Sequence, residues 1–350
     1  MICCRAAVTV IRARLGAALT VMMIVVSAAF LAACGNGSDA GDPGSLTVYS
    51  GRSESLVGPI IQQFGQVTGI NVSVKYAGTP QLAATLLEEG DRTPADVFFA
   101  QDPGGLGAVE SMLAPLPQDI LGLAPDWARS SQGRWIGISG RARTVVYNTE
   151  RLTEADLPDD IFDFIDPEWT GRIGWAPTNA SFQTMVTAMR ALWGEEKTRL
   201  WLEGIQDNKP LVYPKNTPIV AAAAAGEIDV GLVNHYYLHR FLAEEGESFQ
   251  ARNYHPRAGG PGAIIMVAGA GILDTSKNRD AAERFLKFML SVVAQQYFAG
   301  QTFEYPLVDG VKTQLGLTPI SGFPHPDIPV GQLADLKGTQ ALLRDTGILP

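Results

Sequence analysis

Cysteine, histidine and basic charge are all scarce in this chain, and each shortage excludes something. The three cysteines are Cys3, Cys4 and Cys34, so no residue after 34 can join a disulfide or a thiolate metal site. Any metal must be held by oxygen donors or by the four histidines, His235, His239, His255 and His325. Lysine and arginine number 27 against 36 aspartates and glutamates. That balance argues against nucleic acid as a partner and against a polybasic membrane patch. No Gly-x-Ser-x-Gly elbow is present, since Gly137-Ile138-Ser139-Gly140 is followed by Arg141 where the last glycine should stand. There is no His-Glu-x-x-His, and Gly259-Gly260-Pro261-Gly262 lacks the Lys-Ser/Thr that would make it a phosphate loop. Hydrolase and nucleotide chemistry have no foothold, and the chain is expected not to be an enzyme.

What is present begins at the N-terminus. Arg5, Arg12 and Arg14 precede an uncharged stretch that ends at Leu31-Ala32-Ala33-Cys34. A basic start, an apolar middle and small residues before a cut site make a secretory signal. Cysteine after Leu-Ala-Ala resembles the lipobox of bacterial lipoproteins, in which that thiol is lipidated. The apolar run from Leu15, about 19 residues, is also near the length of a spanning helix. It ends at the lipobox, however, and a Gly/Ser/Asp-rich tether, 34–45, follows it. The expectation is an exported protein anchored through lipidated Cys34 to the outer face of the cytoplasmic membrane. Removing residues 1–33 leaves 24 basic against 36 acidic residues, a formal charge of −12. The remaining length is enough for two ordinary domains, with no later apolar run long enough to span a bilayer.

Beyond the tether, short apolar runs alternate with helical spacing. Leu46 to Tyr49 reads as a strand, Ser55 to Val67 as a helix, Ile70 to Tyr76 as a strand, Gln81 to Glu89 as a helix and Asp96 to Phe99 as a strand. This is an α/β domain on a mostly parallel sheet, whose loops 50–55 and 100–105 lie at strand carboxyl ends, where such sheets hold ligands. A second block starts near Arg143, with strands at Thr144–Asn148, Leu211–Tyr213 and Asp229–Val233. Its helices are expected at Phe182–Leu192, Lys197–Gly204 and Ile219–Ala225. Ala263 to Gly269 is β-prone. Asn278 to Ala299 has the spacing of one long amphipathic helix with Ala282, Phe285, Phe288, Met289 and Val292 inward. A short terminal helix is expected over 331–344.

Several stretches are landmarks: Thr47-Val48-Tyr49-Ser50-Gly51-Arg52, Pro94 to Phe99, Ser139 to Asn148, Trp169 to Pro177, Tyr236-Tyr237 and Glu304-Tyr305-Pro306. In this order the chain resembles the ferric-iron-binding solute-binding proteins of ABC importers, over nearly all of 46–310. The resemblance implies the two-lobed α/β fold of periplasmic binding proteins (type II-like), with two β-strand hinges and a ligand cleft between lobes. It divides the chain into one lobe of 46–142 plus about 264–315, and another of 143–263 plus about 316–350. It also implies a monomer that captures ferric iron and delivers it to an ABC permease.

The residues suit that cargo. Ferric iron is a hard acid that favours anionic oxygen, and a bound cation strips protons from its ligands. Tyr236 and Tyr237 would supply two phenolates. Adjacent residues face different ways on a regular element, so the segment after Val233 is expected to leave the strand at Asn234-His235 and turn irregularly. Other protein ligands found among relatives are missing: Ser53 stands at one family position for histidine, Gln101 (neighbour Asp102) at that of a glutamate, and Phe182 at that of a third tyrosine. Two phenolates cannot fill an octahedral sphere, so carbonate, phosphate or citrate should complete it, as a synergistic anion or as part of a ferric chelate. Candidates to hold the anion are Arg52, Arg141 and the helix start at Asn179-Ala180-Ser181, with Asn216 and Asn234 matching positions where relatives contact phosphate, and Gln101 beside them. His235 and His239 at i and i+4 could grip a metal only with a third ligand. Asp156, Asp159, Asp160 and Asp163 lack calcium-loop spacing and read as a solvated turn. The alternative keeps the fold and changes the cargo to a small organic or anionic solute such as thiamine, a polyamine or a phosphonate.

Overall fold

Strand and helix alternate from the first described residue onward. The computed structural model describes residues 44–350; the Leu31–Cys34 motif and its tether through Pro43 lie outside them. Along the chain run β1 (Ser45–Ser50), α1 (Glu54–Thr68), β2 (Asn71–Tyr76), α2 (Thr79–Glu89), β3 (Val97–Ala100), α3 (Pro103–Ala108) and α4 (Gln118–Leu121). The long β4 (Ile136–Asn148) follows, then β5 (Ile173–Trp175), α5 (Ala180–Trp193), α6 (Glu195–Asp207), β6 (Leu211–Val212), α7 (Asn216–Ala224), β7 (Val230–Asn234), α8 (Tyr236–Glu245) and β8 (Ala251–Tyr254). The last elements are β9 (Ile265–Ile272), α9 (Arg279–Met289), α10 (Val292–Gln301) and α11 (Leu336–Asp345). Among the described residues no helix is long and apolar enough to cross a membrane.

The strands form one path in the order β2-β1-β3-β9-β4-β7-β5-β6, with β8 beside β4. In the first half β1 pairs in parallel with β2 and β3; in the second β5 pairs in parallel with β6 and β7. What joins the halves is β4. Its first part, through Ala142, is antiparallel to β9, and from Arg143 onward it pairs with β7 instead. One strand therefore belongs to both halves, and it changes partner between two adjacent residues. β9 also spans, pairing with β3 as well as β4. Thr144 to Asn148 is only the second part of a 13-residue strand, buried throughout, because the stretch before it contains Gly, Ser and Arg and lacks strand character by composition.

Two apolar clusters flank this sheet. One gathers Val48, Ile60, Phe64, Phe98, Ile138 and Phe285 and continues under Ile219 and Tyr236. The other packs Trp169, Trp175, Phe182 and Trp201 with Leu342 and Leu343 of the terminal helix. The aromatic spacing there is tight: Trp175 meets Phe182 edge-on at 5.5 Å. The tail also touches the first half, and it can do so because position 107 is glycine. A Cβ at Gly107 would lie 2.3 Å from the Ala334 side chain, far inside any real contact.

The helix expected over 278–299 is two. The α9 helix stops at Met289 and Ser291 caps α10 by accepting from the Ala294 N–H. Val292, placed inward on one continuous helix, is 59% exposed. A serine that satisfies a free helix donor restarts the helix at a new phase, and the apolar spacing across the break misleads.

The strand that leads to the tyrosines starts at a charged anchor. Asp229, just before β7, accepts from Arg151 at 2.8 Å and from Arg172 at 2.5 Å. Burial raises its carboxyl's pKa, but these two partners outweigh that and hold it below the usual 3.8. Its stabilisation is therefore present above the ordinary carboxylate range and is lost as pH falls through the depressed value. Asp229→Asn should cost about 2 kcal/mol at pH 7, measured by urea unfolding, and the gap from wild type should close as the pH is taken below about 4.

Candidate metal and anion site

The site is assembled from strand ends. Arg52 follows β1, Gln101 follows β3, Asn179 to Ser181 follow β5, and Tyr236 follows β7. Both parallel sets point their carboxyl ends at the same gap, as open α/β sheets do at their ligand sites. The loop after β1 approaches closely enough to require Gly51, whose added Cβ would sit 1.9 Å from Thr79 Oγ1. A cavity of about 310 Å³ opens between the halves, lined among others by Arg52, Ser53, Gln101, Asn179, Ala180 and Lys215. A larger groove of about 830 Å³ lies on the outer face between α1 and β2. It shares with the site only Tyr76 and none of the charged cluster described next.

Tyr236 and Tyr237 leave β7 without the irregular turn expected of them. Asn234 ends the strand, His235 is already helical at φ −54°, and α8 begins at Tyr236. The phenol rings stack with centroids 4.2 Å apart at 29°. In the first turn of a helix two adjacent side chains can still lean together, and that end of the helix carries the positive pole of its dipole, which favours phenolate. Arg52 reaches across the gap to donate from Nη1 to Tyr236 Oη at 3.4 Å. Burial first, and the neighbouring Tyr236 phenol second, push the Tyr237 hydroxyl well above 10, while Arg52 and Arg141 pull the other way. At neutral pH this hydroxyl keeps its proton, so any cation that took it as a phenolate ligand would have to release that proton.

Around the phenols sit three guanidiniums, of Arg52, Arg141 and Arg143, each no more than 1% exposed. Ser139, Arg141 and Arg143 alternate along β4 and so share one face. Arg52 forms an ion pair with Glu304; burial opposes its charge, but Glu304 and the tyrosines more than compensate and raise its pKa. Arg141 donates one bond, from Nη2 to the Val267 carbonyl at 3.1 Å. Arg143 donates one, to Asn234 Oδ1 at 3.2 Å. Burial and the adjacent Arg141 cation pull Arg143 down to about 9, so it stays charged at neutral pH. The Nε of Arg52, Nε and Nη1 of Arg141, and Nε and Nη2 of Arg143 have no protein partner. Buried charged donors left unpaired are costly, and of these three arginines Arg52 lines the cavity between the halves. Their natural complement is an anion with several acceptor oxygens.

The remaining candidates hold the walls. Gln101 Nε2 donates to Ser181 Oγ at 2.6 Å, a bond between the halves. Asn179 caps α5 by accepting from the Ser181 N–H at 3.1 Å, with Ala180 lining the cavity beside it. Asn216 donates to Asn179 Oδ1 at 3.1 Å, and Asn234 donates to Ser181 Oγ at 2.9 Å. The amides of both asparagines are thus engaged in supporting the cap. Asp102 caps α3 at Gly105 and has one buried oxygen unpaired; burial raises its pKa against the pull of Arg141.

The histidines form no metal pair. Burial drives His235 down to about 3. The neutral ring accepts from the Ala142 N–H at 3.0 Å through Nδ1 and donates from Nε2 to the Phe303 carbonyl at 2.9 Å, which leaves neither nitrogen for a metal. His239 stacks on Phe303 instead. Among the described residues no group of three His, Cys, Asp or Glu is placed to hold a metal. Phe182, expected to stand at the position of a third tyrosine, is buried in the tryptophan cluster. Sequence reasoning passed over Arg143, Glu304 and Ser139. The signal for two of them was legible, because polar residues at every second position of a buried strand must face something polar.

Strand ends converging from two halves, joined by strands shared between them, define a two-lobed binding protein whose ligand lies in the cleft. The model of the bacterial extracellular solute-binding protein family matches residues 93–317. The chain belongs to that family, whose members bind solutes for transport and are not enzymes. It is 34% identical to the major ferric iron-binding protein of Neisseria meningitidis serogroup A over 87% of this chain and 93% of that one. The iron-bound HitA structure from Pseudomonas aeruginosa superposes with a TM-score of 0.83 at 34% identity, covering 87% of this chain and 99% of that chain. A Trichodesmium protein solved in complex with iron and citrate ligands gives a TM-score of 0.73 at 26% identity, with coverage of 87% and 99%. The two-lobed periplasmic-binding-protein fold with two strand hinges is therefore the fold of this chain.

The unpaired guanidinium donors generate a prediction that needs no metal. Citrate or phosphate should raise the melting temperature of the iron-free protein in proportion to the logarithm of its concentration. In Arg141→Gln with Arg143→Gln that rise should be lost, as followed by scanning calorimetry.

Proposed function

We propose that this protein captures ferric iron together with a multiply charged anion, or as a ferric chelate, and hands it to an ABC importer. The observation that carries the reading is the stacked, buried Tyr236–Tyr237 pair set among three guanidiniums. Tyr236 and Tyr237 are the metal ligands, and Arg52, Arg141 and the α5 start at Asn179, Ala180 and Ser181 hold the anion, with Gln101, Asn216 and Asn234 supporting them. Relatives named as ferric iron-binding proteins add weight.

Charge decides the kind of anion. A trivalent ion offsets two phenolates with one positive charge to spare, and Arg52 is balanced by Glu304. Arg141 and Arg143 add two more. A monoanion would leave much of this charge uncompensated in a buried site, whereas carbonate, phosphate or citrate matches it. The first lobe is 46–142 plus about 264–315 and the second 143–263 plus about 316–350, hinged where β4 exchanges β9 for β7. Closure lets both lobes contribute, and the closed form is favoured only by its differential affinity for cargo. The protein works as a monomer in the periplasm or its equivalent, held through lipidated Cys34. A second reading, an anionic solute bound without metal, is favoured by the same unpaired donors.

One titration separates the two. Ferric citrate or ferric carbonate added to the wild type should develop a visible phenolate-to-iron charge-transfer band, absent in Tyr236→Phe with Tyr237→Phe. A colourless wild type that is nevertheless stabilised by the anion supports the second reading. For the anchor, Cys34→Ser should move the protein from the membrane fraction to the soluble exported fraction, scored by immunoblot.

A further inference from the structure

Glu304 is outside the set of iron and anion ligands proposed above, and it is a fully buried carboxylate with both oxygens engaged. One oxygen pairs with Arg52 Nη2 and the other accepts from Ser139 Oγ. The backbone is arranged to put it there. The α10 helix ends at Gln301, and Phe303 takes φ 58°, a left-handed conformation unusual for a bulky residue. That turn lets the Glu304 N–H donate to the Phe298 carbonyl at 3.0 Å. The next residue, Tyr305, then exchanges two backbone bonds with Gly140 of β4, at 2.7 and 2.9 Å. Glu304 is thus fastened to the hinge strand one residue away from Arg141. His235, the residue before the tyrosines, donates to the carbonyl of Phe303 and so ties the same turn to α8.

Arg52 is the group this carboxylate controls. Its guanidinium has two side-chain partners, Glu304 on one side and the Tyr236 hydroxyl on the other, with its carbon 5.7 Å from the Tyr236 ring centroid. A long arginine side chain has many rotamers to choose from, and only a fixed partner keeps it in one of them. The sequence Ser139, Glu304, Arg52, Tyr236 runs from the hinge strand through the return segment and the loop after β1 to the tyrosine helix. We infer that Glu304 is a positioning residue: it acts through Arg52, setting that guanidinium on the phenol oxygen of Tyr236 when the lobes close. The inference rests on the iron reading above. It makes the quality of the metal site depend on the return segment around Glu304, which is bonded to the part of β4 that pairs with β9.

The test is a double-mutant cycle read in two ways. Ferric affinity, with citrate as the anion, and the wavelength of the charge-transfer band are measured for wild type, Arg52→Gln, Glu304→Gln and the double variant. A lost charge-assisted bond is worth about ten- to a hundredfold, so each single variant should bind more weakly by that order. The double variant should bind no worse than Arg52→Gln alone. The band should move to longer wavelength in both singles, because a phenolate without its donor gives up electrons to iron more readily. Independent, multiplying losses, or an unmoved band in Glu304→Gln, would overturn the inference. If Glu304→Gln fails to fold with Arg52 left unpaired, the double variant, which buries neither charge, still decides by comparison with Arg52→Gln. A wild type that shows no band removes the iron reading and this inference together; a band in the wild type with no coupling removes this inference alone.

Discussion

Three guanidiniums buried with fewer carboxylates than they need are the constraint on which the rest of this protein depends. At neutral pH these arginines keep their charge even where burial pulls Arg143 down to about 9, so that charge must be answered with counter-charge. Glu304 answers Arg52. Arg141 and Arg143 have one protein bond each and several donors left over. A site of that kind is poor for a bare cation and good for a cation that brings its own anion. The phenols beside it are the opposite kind of group, neutral when protonated and doubly charged when both are stripped. Cargo that supplies a trivalent cation and a polyanion at once satisfies both.

The architecture draws this electrostatic arrangement from several separate segments. Arg52 and Gln101 follow β1 and β3, Ser181, Tyr236 and Tyr237 follow β5 and β7, and Arg141 and Arg143 lie on β4, the strand that pairs with both β9 and β7. Two polar contacts cross the gap, Gln101 to Ser181 and Arg52 to Tyr236, beside the packing of the tail on the first half at Gly107.

Much of this was legible beforehand, and for particular reasons. Tyr236-Tyr237 stood out because the stretches around it resemble those of ferric-iron-binding proteins; alone, such a pair is more often two half-buried aromatics at a strand end. Arg52 followed a strand end, and Arg141 lay between two blocks of differing pattern. Arg143 was passed over because its strand could be read only as far back as Thr144; with β4 begun at Ile136, the alternation Ser139, Arg141, Arg143 is plain. The turn at the tyrosines was expected to be irregular and is a helix start, since the face rule for regular elements relaxes in a first turn. The single helix expected over 278–299 is two because one serine cap resets the phase.

The residues by themselves determined that this is an α/β chain without usable thiols, that any metal it takes must be held by oxygen, and that its charge is wrong for nucleic acid. Those are statements of composition and period, and they hold in any fold. Only the tertiary structure decided that Glu304, 252 positions from Arg52 in sequence, is its partner, or that His235 spends both nitrogens on the backbone. Pairings of that kind depend on where two distant segments are brought by a shared strand. Local pattern records which face a side chain takes but not what will be packed against it.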